Sequence, residues 1–373
     1  MTQPNPLLIP ELAEQCIAHL VEWRADLKAC ALVSKSWVFA AQVHLFGAIY
    51  LDKEDLCRRL ETTLRASPHF IQHVRRLGIR RYGIRRYDEA VIPVGFLDKI
   101  CNFPFTHLSE ASIESHYLTM AAAGALRPLL GLPTLRYVKI YTARIELLVF
   151  LSLWGSCSPS IRHLHLSCST TSDDPSHLIG GHPSSRIPLK SLRLGPSNNI
   201  NIYNWLSHDL CPFDLAMLTV LSIDYTSILD WRAMAPALRT LEILQFTVLA
   251  GSQPVDLSPF SNLSVIRIYL NSPNSQSVAH NTLATITPSS HVRRIILYPL
   301  FSSLPGIHAP PLDSTLARLH LQHPLTVEFE MGSNQYERWV PRFPQLNARN
   351  MLRRAAPDLD WIDKCIRKTD ILH

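Results

Sequence analysis

Residues 263–268 read LSVIRI and residues 292–297 read VRRIIL, and both stretches place three aliphatic side chains in the same arrangement. A second aliphatic residue follows the first by three positions, and a third follows two positions later. This arrangement begins at nine places in the chain: Val74, Leu135, Ile161, Leu189, Leu218, Leu238, Leu263, Val292 and Leu316. From Leu135 onward, successive starts are 20 to 29 residues apart. A recurrent spacing in this range predicts a protein built from stacked repeats.

Each repeat is predicted to contain one short strand. The second and third aliphatic residues are two positions apart and therefore lie on the same side of an extended chain. A further unit around Phe105, Leu108 and Ile113 would fill the gap after Val74. Candidate helices between the strands lie at 144–153, 200–207, 228–234 and 277–286.

Alternating strands and helices predict an α/β fold in which parallel strands form one face and helices or loops form the other. Three aliphatic side chains cannot offset the ordering entropy of a whole repeat, so a repeat is stable only when stacked on its neighbours. We therefore expect a solenoid with the parallel strands on its concave face. The alternative is a compact α/β domain with buried parallel strands.

The first fifty residues have a different pattern, which predicts three short helices. Pro10 suits the first position of a helix, and Leu12, Ile17 and Leu20 fall near one helical face. The pattern restarts at Leu27, and Ser34 is a plausible N-cap for a third helix. Helices this short bury little surface, so such a unit usually needs a partner. The alternative is a helical cap on the repeats, in which Trp37 is a core residue.

The residues of this segment resemble an F-box over positions 7–48. The resemblance is carried by Ile9-Pro10-Glu11-Leu12, Ile17, Leu20, Asp26-Leu27, the string 32–37 (LVSKSW) and Leu45-Phe46. It implies docking onto the Skp-family adaptor of an SCF-type cullin–RING ubiquitin ligase through a helix-in-groove interface. By position, the implied adaptor-binding residues are Ile9, Pro10, Leu12, Ile17, Leu20, Leu27, Val33 and Trp37.

The repeats resemble irregular leucine-rich repeats, and the two resemblances together predict the domain organisation. An F-box would span residues 1–50, a solenoid of about ten units would span 51–344, and a helical cap would span 345–373. The implied function is that of a substrate-receptor subunit, which binds a target protein and performs no chemistry. The alternative is a repeat scaffold, or a protein that binds nucleic acid or another anion, acting outside a ubiquitin ligase.

Positive charge is concentrated at particular positions of the chain. Lys and Arg number 36 against 30 Asp and Glu, and seven arginines with no acid lie between Thr62 and Tyr87. Side chains that alternate with the inner aliphatics should line the exposed strand face, where seven basic residues are predicted but only two acids, Asp224 and Glu242. The candidate target-binding residues on this face are Arg76, Arg80, Tyr137, Lys139, Tyr141, His165, Arg193, Arg267, Tyr269, Arg294, Tyr298 and Arg318.

Such a face suits an acidic or phosphorylated target, because arginine binds carboxylate and phosphate through paired, charge-assisted hydrogen bonds. The alternative is that basic side chains are tolerated on a solvated sheet. The arginine run from Arg75 to Arg86 could form an anion-binding edge, could bind RNA or DNA, or could be a charged, soluble loop.

Residues with catalytic spacing are scarce, and we expect neither an enzyme nor a cofactor. The chain has no GxxxxGK[ST], GxGxxG, HExxH or GxSxG sequence. Cys157, His163, His165 and Cys168 are close in sequence but match no strong zinc pattern, so no metal is expected. Catalysis by a Cys–His pair stays open as an alternative.

The composition also predicts the environment of the chain. The eight cysteines are scattered and should be reduced thiols, which fits the cytoplasm, the nucleus or both. The longest strongly apolar run, Leu147 to Trp154, is far shorter than the roughly 20 residues of a membrane span. We therefore expect neither a membrane nor nucleic acid among the partners.

Overall fold

A computed structural model defines the fold and divides the chain into two compact units, residues 1–161 and 162–373. The structure describes residues 10–20, 23–80, 94–155, 157–170, 186–195, 206, 211–224, 231–249, 251–272, 274–300, 310–322, 324–358 and 360–371. Each unit combines parallel strands with helices. The predicted α/β class is therefore confirmed.

Helices and strands alternate along most of the described chain. The helices are Pro10–Ala18 (α1), Arg24–Val33 (α2), Lys35–Gly47 (α3), Glu54–Ala66 (α4), Val94–Cys101 (α5), Met120–Leu130 (α6), Leu147–Trp154 (α7), Ser275–Ala284 (α8), Pro310–Gln322 (α9), Ser333–Trp339 (α10), Pro344–Ala348 (α11) and Trp361–Ile371 (α12). Short 3-10 helices cover Pro68–His73, Trp231–Ala237 and Val340–Arg342.

The strands are short, and two of them form a separate pair. They are Ala48–Leu51 (β1), Arg76–Arg80 (β2), Glu110–Leu118 (β3), Tyr137–Ile145 (β4), His163–Thr170 (β5), Ile187–Pro188 (β6), Ser191–Leu194 (β7), Phe213–Asp214 (β8), Val220–Ile223 (β9), Ile243–Val248 (β10), Val265–Leu270 (β11), Arg294–Pro299 (β12), Thr326–Glu330 (β13) and Leu352–Ala355 (β14). The small pair is β6 with β8.

The parallel strands pair in chain order in both units. In the first unit the order is β1-β2-β3-β4, and in the second it is β5-β7-β9-β10-β11-β12-β13-β14. After each strand the chain therefore crosses back to the end of the sheet where that strand began, and the next parallel strand starts there.

The repeated aliphatic residues are buried where the pattern predicts a strand. Leu77 and Ile79 of β2 are both buried, as are Ile266 and Ile268 of β11. Because side chains alternate along a strand, this leaves Arg267, between the two isoleucines, on the opposite face. That face, made by the side chains that alternate with the buried aliphatics, is called the strand face below.

Polar side chains join successive repeats at the position just before the first aliphatic residue. In the first unit the hydroxyls of Thr134 and Ser160 donate to the carbonyls of Leu108 and Leu135, at 2.8 and 2.9 Å. In the second unit the Thr240 hydroxyl donates to the Leu218 carbonyl at 3.0 Å. These bonds satisfy carbonyls that precede each strand, so neighbouring repeats are linked by more than apolar packing.

Two repeat positions were predicted wrongly. The last one, Leu316 with Leu319 and Leu321, lies in α9, and the strand that follows β12 is β13 at Thr326–Glu330. Spacings of three are also compatible with a helix, and Leu316 and Leu319 are buried as neighbours on one helical face.

The unit assigned to Leu238, Leu241 and Ile243 is displaced by three residues. Strand β10 begins at Ile243, and the buried residues are Leu241, Leu244 and Phe246. The pairing of Ile243 with Val220 of β9 sets this register.

The predicted helices are partly confirmed. Helix α8 spans Ser275–Ala284 where 277–286 was predicted, and a 3-10 helix at Trp231–Ala237 replaces the predicted helix at 228–234. Strand β4 continues to Ile145, so α7 begins only at Leu147. Of the predicted helix 200–207, only Leu206 is among the described residues. The segment 345–373, expected to be helical, also contains β14.

Candidate functional site

Helices α1, α2 and α3 enclose a small apolar cluster in the first unit. Its buried members are Ile17, Leu27, Cys30, Ala40 and Ala41. Ile17 and Leu27, two of the predicted adaptor-binding residues, are therefore core residues that hold the helices together. Their side chains are inaccessible to a partner unless the helices separate.

Other predicted adaptor-binding residues are exposed or half-buried. Leu12 and Val33 are exposed, whereas Leu20 and Trp37 are partly buried and pack against the inner cluster. Pro10 begins α1. Ile9 lies outside the described residues.

Three further apolar side chains on or next to these helices are exposed, and they are absent from the predicted set. They are Trp23, Leu32 and Phe39, and Leu32 has 88% of its surface accessible. Phe39 makes an edge contact with His73, with 5.2 Å between the ring centroids. Leu32 lies next to Val33 in the sequence string that carries the resemblance, so it could have been included in the predicted set. Nothing in the aliphatic pattern singles out Trp23 or Phe39.

The strand face of the first unit carries basic side chains that are paired with acids. The Arg80 guanidinium lies 3.1 Å from Glu114 and 4.6 Å from the ring centre of Tyr50, and Lys139 lies 3.2 Å from Glu110. Both glutamates belong to β3, the strand that pairs with β2 and β4. The charge of this face is therefore largely balanced. Arg76 is exposed, and Tyr137 and Tyr141 are half-buried.

Arg267 is the centre of the strand face in the second unit. Its side chain is fully buried and contacts Glu330 of β13 at 2.6 Å and the Gln245 side-chain oxygen at 3.1 Å. The guanidinium also lies over the rings of Tyr269 and Tyr298, at 4.9 and 6.0 Å from their centres. A buried arginine held by a carboxylate, an amide and two aromatic rings is fixed in position before any ligand arrives.

Asp358, Trp361 and Asp363 add a further layer of contacts to this face. Arg267 donates to the carbonyl of Asp358 at 2.8 Å, and its guanidinium lies 5.1 Å from the ring centre of Trp361. Arg193 of β7 lies 3.9 Å from Asp363 of α12. The chain's own last described helix thus contacts two residues of the predicted target-binding set.

Burial shifts the pKa values of groups beside these arginines. It raises the pKa of Asp224 above the usual range, against the opposing effect of Arg193. Burial also raises the pKa of Tyr269 to about 12, with Arg267 acting in the opposite direction. Both shifts follow from the poor solvation of these side chains, and electrostatic interactions are stronger in such surroundings.

The remaining predicted target-binding residues do not form one cluster. Arg294 binds Glu328 through two contacts of 3.0 and 2.7 Å, and His165 is buried. Arg318 lies on α9, exposed, because its predicted strand is a helix, so its assignment to the strand face was wrong. Of the arginine run, positions 81, 85 and 86 lie outside the described residues.

The charge count of the strand face was wrong because it omitted two strands. Sequence reasoning found two acids, whereas β3 and β13 contribute Glu110, Glu114, Glu328 and Glu330. The residues of β3 were treated as a degenerate repeat and left out of the count. The repeat that should have corresponded to β13 was placed on the preceding helix, α9.

Five of the cysteines are buried or partly buried thiols. Burial raises the pKa of Cys57, Cys101, Cys157, Cys168 and Cys211 to about 12, which keeps these five as thiols at neutral pH. All eight cysteines are free of disulfide bonds.

The described residues contain no group of three or more metal-ligating side chains and no helix suited to crossing a membrane. Within them, no group of three or more His, Cys, Asp or Glu side chains could hold a metal ion. His163 shares a hydrogen bond of 2.8 Å with the hydroxyl of Ser191. None of the described helices is both long enough and apolar enough to cross a membrane.

Comparison with known proteins identifies no relative: neither the protein-family models that were scanned nor the curated proteins that were searched match this chain.

Proposed function

We propose that the protein is a substrate-receptor subunit of an SCF-type cullin–RING ubiquitin ligase. In this proposal α1, α2 and α3 form an F-box that docks on a Skp-family adaptor, and the repeats form a leucine-rich-repeat solenoid that binds the target protein. The observation that carries the proposal is the set of exposed apolar side chains on three helices that already have a closed apolar core.

The helices have the two properties that adaptor docking requires. Ile17 and Leu27 complete an inner cluster, so the helices have a defined packing before a partner binds. Leu32 and Val33, with 88% and 65% of their surfaces accessible, are left for another surface to cover. Covering one such side chain contributes about 1.5 to 3 kcal/mol, so a few of them suffice for a specific interface.

The repeats support target binding more than they support anion binding. Parallel strands in chain order, linked by the bonds from Thr134, Ser160 and Thr240, fit a stacked-repeat architecture. Arg80, Lys139 and several other basic side chains are paired with carboxylates. A face of paired charges and tyrosines suits a polypeptide better than a nucleic-acid backbone, which needs uncompensated positive charge.

The test is capture of a purified Skp-family adaptor by the full chain. Replacing Leu32 and Val33 together by serine should weaken adaptor binding at least about 30-fold, because two apolar contacts are lost without disturbing the inner cluster. The affinity is measured by titrating the chain into a fluorescently labelled adaptor.

The matched control is Leu321→Ser, which removes an equally exposed leucine from α9. This variant should bind the adaptor like the unmodified chain. If the unmodified chain does not bind the adaptor, or if Leu32→Ser/Val33→Ser binds it as tightly, the proposed role of these helices is wrong.

A further inference from the structure

Asp358, Trp361 and Asp363 of the segment 358–366 contact the strand face of the second unit through interactions typical of a bound peptide. Glu330 accepts a hydrogen bond from the main-chain N–H of Asp358, and Arg267 donates to the carbonyl of the same residue at 2.8 Å. One ion pair thus binds both polar groups of a single residue's backbone. Main-chain capture of this kind supports affinity without depending on the side chain of the captured residue.

Two side chains of the segment add specificity. Trp361, three positions after Asp358, lies with its ring centre 5.1 Å from the Arg267 guanidinium. Asp363, five positions after Asp358, lies 3.9 Å from Arg193. An aromatic ring over a buried guanidinium and a carboxylate beside an arginine are both selective contacts.

The segment also has polar contacts within itself that involve no strand residue. Lys364 binds the Asp358 carboxylate at 2.9 and 3.0 Å, which fastens α12 to the residues before it. Ile362 and Ile366 are buried on one side of the helix, whereas Lys364 and Arg367 are exposed. α12 is therefore an amphipathic helix.

The other contacts of Arg267 on the strand face do not involve the segment. The guanidinium contacts Glu330, Gln245 and the rings of Tyr269 and Tyr298, which all lie outside residues 358–366. Its Nε atom is buried and has no hydrogen-bond partner, so the guanidinium has capacity for another acceptor. The residues from Ala356 to Asp363 include three aspartates and no basic residue, which complements Arg193 and Arg267.

We propose that residues 358–366 are an intramolecular ligand of this strand face, and that a target segment with the same chemistry displaces them. The target segment is an acidic peptide whose aromatic side chain follows the captured backbone residue by three positions and whose carboxylate follows it by five. The inference rests on the proposed function in placing target recognition on the strand face. Its consequence is that the free chain is self-occluded and that a target must compete with the chain's own helix.

The experiment measures binding of a synthetic fluorescein-labelled peptide of residues 356–371 to the full chain by fluorescence anisotropy. The variant Trp361→Ala/Asp363→Asn should bind the peptide at least about tenfold more tightly than the unmodified chain, because its own segment competes less well. Asp363→Asn alone, which leaves the ring in place, should give an intermediate affinity. Asp360→Asn, an equal charge change at an exposed carboxylate, should bind the peptide like the unmodified chain.

Two further comparisons locate the peptide. In the Trp361→Ala/Asp363→Asn chain, adding Arg193→Gln should weaken peptide binding severalfold, whereas adding Arg318→Gln on the exposed side of α9 should leave it unchanged. A peptide that itself carries alanine for Trp361 and asparagine for Asp363 should bind at least about tenfold more weakly.

The proposal is overturned if the peptide binds neither chain, binds both equally, or binds equally well without its tryptophan and aspartate. The assay contains no adaptor, so its outcome is independent of adaptor capture. Failure of the chain to bind a Skp-family adaptor would leave the peptide result intact, and failure of the peptide to bind would leave the adaptor result intact.

Discussion

Gly78 lies in β2 opposite Tyr50 of β1, and the ring of Tyr50 occupies the space that a side chain at position 78 would need. A Cβ atom there would overlap Tyr50 Cδ1 and lie 2.9 Å from Cε1. The same ring carries the Arg80 guanidinium at 4.6 Å, and Arg80 in turn binds Glu114. Because Gly78 has no side chain, side chains from three neighbouring strands can contact one another: Tyr50 of β1, Arg80 of β2 and Glu114 of β3.

We expect Gly78→Ala to lower the free energy of unfolding by about 1 to 2 kcal/mol, because the Tyr50 ring must move off its site. Gly124→Ala is the matched control: Gly124 lies in α6 with open space around its missing Cβ, so alanine should stabilise by about 0.5 to 1 kcal/mol. Urea denaturation of both variants gives the comparison. In a Tyr50→Ala background the cost of Gly78→Ala should disappear, and its persistence would show that Tyr50 is not the cause.

Among the elements, α11 has an N-terminus that is capped by a residue of another helix. The Asp313 carboxylate, buried in α9, accepts hydrogen bonds from the backbone N–H groups of Gln345 and Leu346 at 2.9 and 3.1 Å. A helix of only five residues cannot nucleate by itself, so this contact and its apolar packing hold it in place.

Asp313→Ala should cost about 2 to 3 kcal/mol of unfolding free energy, because two backbone donors lose their acceptor in a buried place. The comparison is Thr119→Ala, which removes a local cap: the Thr119 hydroxyl accepts from Ala122 N–H at 3.2 Å at the start of α6. That substitution should cost about 1 kcal/mol. A cost for Asp313→Ala no larger than that for Thr119→Ala would contradict the role assigned to Asp313.

At the scale of the whole molecule, contacts that are distant in sequence organise the second unit. Arg267 joins β11 to Glu330, 63 residues away, and to the carbonyl of Asp358, 91 residues away. Repeat packing by itself connects each strand to its neighbours alone. Arg267 therefore links parts of the unit that the repeats leave unconnected.

We expect Arg267→Leu to cost about 3 to 5 kcal/mol, because it leaves the buried Glu330 carboxylate without its partner. Adding Glu330→Gln to Arg267→Leu should recover more than half of that loss, since the uncompensated charge is then removed. The matched control is Arg294→Leu, whose pair with Glu328 is more exposed and should be worth under about 1 kcal/mol. Thermal and urea denaturation measure all three, and equal costs at Arg267 and Arg294 would contradict the argument.

In one repeat, two overlapping sets of residues fit the pattern, so the pattern cannot determine where that strand begins. Residues 238–246 contain both Leu238/Leu241/Ile243 and Leu241/Leu244/Phe246, which have the same spacing and differ only in that the last residue of the second set is aromatic. The hydrogen-bonded pairing of Ile243 with Val220 selects the second set, and the bond from Thr240 to Leu218 agrees with it. A spacing rule contains no information about the neighbouring strand, so it could not choose between them.

The α/β class, the approximate period of the strands and the buried aliphatic side chains of most strands could be predicted from the amino-acid sequence alone. These properties are local, because alternation along a strand follows from the geometry of one extended segment. Three short helices before the first strand were likewise predictable from their capping and periodicity.

The accessibility of the side chains in each candidate site could not be predicted in this way. In the folded chain Ile17 and Leu27 lie in a core and Leu32 lies at the surface. Glu114 of β3 lies beside Arg80 of the next strand, Glu330 of β13 lies beside Arg267 two strands away, and Trp361 lies over Arg267. Each of these outcomes depends on contacts between residues far apart in the chain. Local spacing does not encode such contacts, because they arise only when the separate elements pack together.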